Sequence, residues 1–107
     1  SWAFPDFIEM GIDSVDTLQP EAFNMSPSYL VEKFGKQLSY HGCISTAGPV
    51  ATGTPEEVEA DCTSILQCMM QTKGYFFSPT HSLQDNSPVE NVLKMYETAH
   101  EKGWYIR

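Results

Sequence analysis

TPEEVEADCTSILQCMM, residues 54–70, carries a whole helix in its letters, and the rest of the fold can be read outward from it. Thr54 followed by Pro55 is the chemistry of a helix start: a hydroxyl to accept from a free backbone N–H, then a ring that needs no N–H partner. Glu57 stands three after the cap, which predicts a capping box. Val58, Cys62, Ile65, Leu66 and Met69 fall on one stripe at helical spacing and predict the buried face. The same device occurs twice more. SPSYLVEKFG begins at Ser26, and SPVENVLKMYETAHEKG begins at Ser87 with Glu90 at the capping-box position. In this last helix Val89, Val92, Leu93 and Tyr96 form the apolar stripe.

Between these helices lie short runs suited to strands: DSVDTLQ (13–19), QLSYHGCIS (37–45) and GYFFSPT (74–80). An earlier helical piece, FPDFIEMG, ends at Gly11. The order is α-β-α-β-α-β-α. Strands alternating with helices at about 30 residues per unit predict an α/β fold with three parallel strands. Loop lengths are unequal. Helix-to-strand links such as GKQ and KG are tight, whereas PEAFNM, TAGPVATG and HSLQDN follow the strands. Function in parallel α/β folds collects beyond the carboxyl ends of the strands. That end carries Gln19, Ser45, Thr46 and His81.

Composition excludes several classes. Six Lys and Arg stand against fourteen Asp and Glu, a net charge of −8, and the basic residues are scattered. That is not a nucleic-acid footprint. No apolar run approaches the ~20 residues of a membrane span. The opening SWAFPDFIEMGID carries acids and no basic cluster, which argues against a secretory leader and makes the cytoplasm the expected compartment. Three cysteines, at 43, 62 and 68, form no C-x-x-C pair. They read as buried thiols of a reducing compartment, and a zinc site built from them alone is not expected. No G-x-G-x-x-G or phosphate-binding lysine loop is present, and no Ser-His-Asp spacing can be argued.

Three histidines remain. His81 sits where the third strand becomes a loop, on the functional side. His41, in mid-strand, reads as a packing group or a support for other residues. His100 lies late in the last helix, where a cation suits the dipole. Asp16, on the first strand, is a weaker candidate for facing a site.

The segments PDFIEMGIDSVDTLQP, LVEKFGKQLSYHGCIST, GTPEEVEADC and GYFFSPTHSLQDNSPVENVLKMYETAHEKGWY together resemble the carboxyl-terminal third of the uroporphyrinogen decarboxylase superfamily. That superfamily holds porphyrinogen decarboxylases and corrinoid-dependent methyltransferases. The resemblance implies the last three βα units of a TIM-type (β/α)8 barrel, with residues 1–107 as one partial barrel domain. It implies that His81 lines the tetrapyrrole cleft and that Asp16 and Gln19 reach it. In the zinc methyltransferase branch a cysteine occupies the His81 loop and a His-x-Cys pair lies upstream, so no metal ligand is expected in this chain. Zinc and a corrinoid belong to the complete enzyme. Ser45 stands where the family often has an acidic residue. HGCIST and SPTHSLQ look more like the methyltransferase-like branch. A decarboxylase must bind a polycarboxylate, for which this segment supplies little positive charge.

A (β/α)8 barrel takes about 250 residues. Three parallel strands alone leave two open edges and an uncovered face, so self-association is expected. Three readings follow: a segment of a decarboxylase-like or methyltransferase-like enzyme, inactive by itself and completed by a tetrapyrrole, a corrinoid or a corrinoid protein; a self-associating structural module that has lost catalysis; or a small α/β domain with its own ligand site.

Overall fold

The computed structural model describes residues 2–46, 48–83 and 85–104, without the side chain of Thr17. Ala47 and Gln84, in two of the long loops, and Arg107, one of the basic residues counted above, lie outside that range. The element order is α1 (Phe4–Glu9), β1 (Ser14–Leu18), α2 (Pro27–Phe34), β2 (Ser39–Ile44), α3 (Pro49–Thr52), α4 (Pro55–Met69), β3 (Tyr75–Pro79) and α5 (Val89–Lys102). The strands form one sheet in the order β1-β2-β3, and both pairs are parallel. Parallel neighbours need a crossover, and the helices supply it. This is the α/β alternation read from the sequence, and it matches part of a TIM-type fold. One element was not foreseen: the stretch read as a loop, TAGPVATG, contains the single turn α3.

The helix starts differ in how they are built. Ser26 accepts from the Tyr29 N–H at 3.4 Å. Thr54 and Glu57 form the full capping box, with both reciprocal bonds at 3.2 Å. The third box does not form. Helix α5 starts one residue later than expected, with Pro88 at the cap and no side-chain bond. The Ser87 hydroxyl is instead buried with no partner among the described residues. At the end of α1, Gly11 takes the left-handed φ of 90°, and the Gly11 and Ile12 amides reach back to Ile8 and Phe7 at 3.0 Å each. That is a Schellman closure, which a side chain at Gly11 would strain.

The core lies between the sheet and its helices. Leu18 and Tyr40 of the sheet, Leu30 of α2, and Val58, Cys62, Ile65 and Met69 of α4 belong to one buried cluster. Phe4 of α1 joins it, edge-on to Phe34 at 5.4 Å. The α4 stripe is therefore buried as read. Of the α5 stripe only Val92 packs against this core, half-buried. The buried face of α5 is Asn91, Met95 and Thr98, the face that meets α3 and α4. Val89, Leu93 and Tyr96 are exposed at 70%, 63% and 51%. The reason is the number of layers: α5 docks on α3 and α4 through Asn91, Met95 and Thr98, and the described residues leave most of the Val89, Leu93 and Tyr96 face uncovered.

Candidate functional site

The sheet has one face under helices and one without. On the helix-free face the side chains of three adjacent strands form a row. His41 Nδ1 lies 2.8 Å from Asp16 Oδ1, and the His41 ring meets Phe76 edge-on at 5.6 Å. His41 and Phe76 are register partners across β2 and β3. The His41 and Asp16 side chains are 43% and 67% exposed, and Phe76 is 62% exposed. His41 is thus not a core packing group. It is an ionisable residue on an open sheet face, oriented by a carboxylate.

At the carboxyl ends of the strands the loops are tied to one another. The Thr80 N–H donates to the Ile44 carbonyl at 2.8 Å, and the Thr46 N–H donates to Thr80 Oγ1 at 3.4 Å. These bonds continue the β2–β3 pairing into the loops and leave His81 exposed one residue beyond them. Gln19 is likewise exposed, and its carbonyl accepts from Ala22 in the turn after β1. Gln19, Thr46 and His81 therefore share the carboxyl rim, and Asp16 lies deeper, at mid-strand. Ser45 turns elsewhere: its hydroxyl donates to Glu21 Oε1 at 2.6 Å.

That bond belongs to a cavity of about 350 Å³ on the helix side of the sheet, lined among others by Glu21, Pro27, Ser45, Asp61 and Ser64. Burial raises the Asp61 carboxyl above the ordinary aspartate range, and the nearby charge of Glu21 raises it further. Neither Glu21 nor Asp61 was singled out in the sequence, where both read as solvated acids. The thiol Cys43, at φ 74° in β2 after Gly42 at φ 113°, is pushed up to about 12, first by burial and then by the neighbouring Cys68, Asp61 and Glu21. Burial also pushes Cys62 up to about 12. Both are protonated thiols at neutral pH, while Cys68 is only partly buried. Tyr75 is held protonated by burial and donates to the Gly42 carbonyl at 2.5 Å, bracing this non-standard backbone. Among the described residues, no group of three His, Cys, Asp or Glu side chains is arranged to hold a metal ion.

Charge divides along the strand direction. Lys33 and Lys36 lie between the last turn of α2 and the start of β2, and Lys73 precedes β3 and pairs with Asp13 at 3.6 Å. Lys94 is held between Glu59 and Glu97 at 3.5 Å each on the outer helices. Lys102 closes α5. Among the described residues, the carboxyl rim and the helix-free face carry carboxylates and imidazoles and no Lys or Arg. No described helix is long and apolar enough to cross a membrane.

A family model described as uroporphyrinogen decarboxylase (URO-D) matches residues 5–102. The chain belongs to the uroporphyrinogen decarboxylase superfamily. Searches of curated proteins and of solved structures each found no match. Family membership gives the two sheet faces their meaning. A sheet with helices on one side and a row of Asp16, His41 and Phe76 on the other is consistent with part of a TIM-type fold.

Proposed function

We propose that this chain is the carboxyl-terminal segment of a uroporphyrinogen decarboxylase-superfamily enzyme, and that the complete enzyme serves methyl transfer with a corrinoid or a corrinoid protein. The charge layout supports this reading over porphyrinogen decarboxylation. A polycarboxylate substrate needs cations to offset its charge. The rim and helix-free face offer Asp16, with Glu21 and Asp61 behind them, and the lysines stand at the opposite end or on the outer helices. A bound corrinoid supplies the methyl-carrying chemistry. This chain supplies one wall: His81, Thr46 and Gln19 at the rim, and Asp16, His41 and Phe76 beneath it. Zinc does not fit the donors here, because Cys43 and Cys62 are buried, protonated thiols and no three-ligand cluster forms among the described residues. Free, buried thiols and an acidic surface suit the cytoplasm. By itself the chain is an inactive wall.

A second reading, a self-associating module without catalysis, draws on the exposed stripe of α5 and on Phe76. An apolar surface of that kind favours association.

The test is a pair of binding titrations on the purified chain at low salt, followed by tryptophan and tyrosine fluorescence. The probes are uroporphyrin, a polycarboxylate, and cobalamin. The expected result is tighter binding of cobalamin, weakened by His81→Ala. Tighter binding of uroporphyrin would overturn the methyl-transfer reading, and binding of neither probe would favour the structural module.

A further inference from the structure

We propose that Asp16 and His41 form a proton-accepting dyad on the helix-free sheet face. Asp16 fixes the imidazole with its proton on Nδ1, and Nε2 receives a proton from a ligand that carries a weakly acidic N–H or S–H group. This deepens the reading of that face as a cleft wall and rests on it.

Three observations carry it. The first is the 2.8 Å contact between His41 Nδ1 and Asp16 Oδ1. A carboxylate accepts only, so in the neutral ring the proton must sit on Nδ1 and the lone pair on Nε2. The second is place. His41 is the third residue of the central strand, and its register partner is Phe76. Nε2 makes no hydrogen bond among the described residues, whereas His81 Nδ1 and the His100 carbonyl are both engaged locally, with Ser82 and Trp104. The third is the surroundings. The ring leans edge-on against Phe76, an exposed aromatic that offers an apolar seat to the body of a ligand. A structural pair gains little from this position, because contacts between side chains this exposed add little to stability.

The proton balance is simple. The ligand's X–H bond breaks, its electron pair stays on N or S, and the proton goes to His41 Nε2. The resulting imidazolium remains paired with Asp16, which is a positioning residue. The acidic rim selects against anionic ligands, so the acceptable donor is neutral or cationic before it gives up its proton.

The experiment is long-range 1H–15N correlation NMR on the 15N-labelled chain, above the range where histidines are protonated. The expected result is a pyridine-like Nε2 and a pyrrole-like Nδ1 for His41, the opposite of the tautomer favoured by a free histidine side chain. In Asp16→Ala, a change at an exposed side chain, the preference should be lost, and Asp16→Glu should restore it in part. Diethylpyrocarbonate, followed by peptide mass mapping, should acylate His41 several-fold faster in the parent chain than in Asp16→Ala. A pyrrole-like Nε2 in the parent chain, or an unchanged tautomer in Asp16→Ala, would overturn the dyad. Neither result touches the cofactor-binding titrations, so the dyad and the cleft reading fail separately.

Discussion

Replacing Asn91 tests how the loop that carries Ser45 and Thr46 is held. Asn91 is 1% exposed on the inner face of α5, and its Nδ2 donates to the carbonyls of Pro49, Val50 and Gly53 at 3.3, 3.2 and 2.9 Å. One side chain thereby anchors the whole turn α3, which is too short to hold itself. Asn91→Ala strands the Val50 and Gly53 carbonyls, while that of Pro49 keeps the Gly53 N–H at 2.8 Å. The bond to Val50 is buried and should count in full, about 2 kcal/mol. The bonds to Pro49 and Gly53 are partly buried, so water recovers some of each, leaving roughly 0.5 kcal/mol apiece. Against this, Asn91 Oδ1 is buried with no partner among the described residues, and deleting it returns about 1 kcal/mol. The net loss is about 2 kcal/mol. With a urea slope of about 1.2 kcal/mol/M, the midpoint followed by circular dichroism should fall by about 1.7 M. Asn91→Asp should be worse, because it aims a buried carboxylate at three carbonyl oxygens, and it should recover partly in acid, where the carboxyl regains an O–H. If Asn91→Asp at pH 7 were within about 1 kcal/mol of the parent, the anchoring role would be wrong.

The remaining predictions concern a cap, a carboxyl and a surface. Thr54→Ala removes a formed capping box and should cost about 1 kcal/mol, whereas Ser87→Ala deletes an unpartnered hydroxyl and should be neutral or stabilising in the same urea assay. Asp61 is raised by burial and by Glu21, so the folded state binds its proton more tightly than the unfolded state. Stability from this group must then fall as pH rises from the ordinary aspartate value, about 3.9, through the folded value. Asp61→Asn should flatten that decline and exceed the parent in stability at pH 7, with the difference closing in acid; Glu21→Gln should shift the decline toward lower pH. Leu93→Glu and Tyr96→Glu should reduce self-association in sedimentation velocity without loss of helix, since both side chains are exposed.

Much of the fold was legible because its signals are local. Ser26 with Pro27 and Thr54 with Pro55 mark helix starts through bonds made within three residues. The strands fell within one or two residues of their expected limits. Ser87 carries the same signal and fails, because α5 docks by Asn91 and Met95 and this buries the hydroxyl away from the amides it would cap. α3 escaped notice because one turn has no periodicity, and what holds it is Asn91, some forty residues later.

The site was legible only at its rim. His81, Thr46 and Gln19 follow from strand ends, which sequence marks well. The pairing of Asp16 with His41 depends on parallel register, which aligns Val15 with Tyr40. His41 has the odd-even phase opposite to the buried Tyr40, which was the available hint; Asp16 shares its phase with the buried Leu18, and only the register irregularity between Val15 and Leu18 sets the two apart. Glu21 and Asp61 gave none, because a carboxylate on a loop or helix reads as solvated until a cavity closes over it.

Methyl transfer and decarboxylation, the two activities weighed for this wall, separate in one experiment. The most direct measurement uses the product of the complete gene and follows methylcobalamin absorbance and CO2 release from uroporphyrinogen side by side. The expected result is loss of the methylcobalamin band with a suitable acceptor, at a rate reduced at least tenfold by His81→Ala, and no CO2. Sustained CO2 release from uroporphyrinogen, with methylcobalamin untouched, would contradict it.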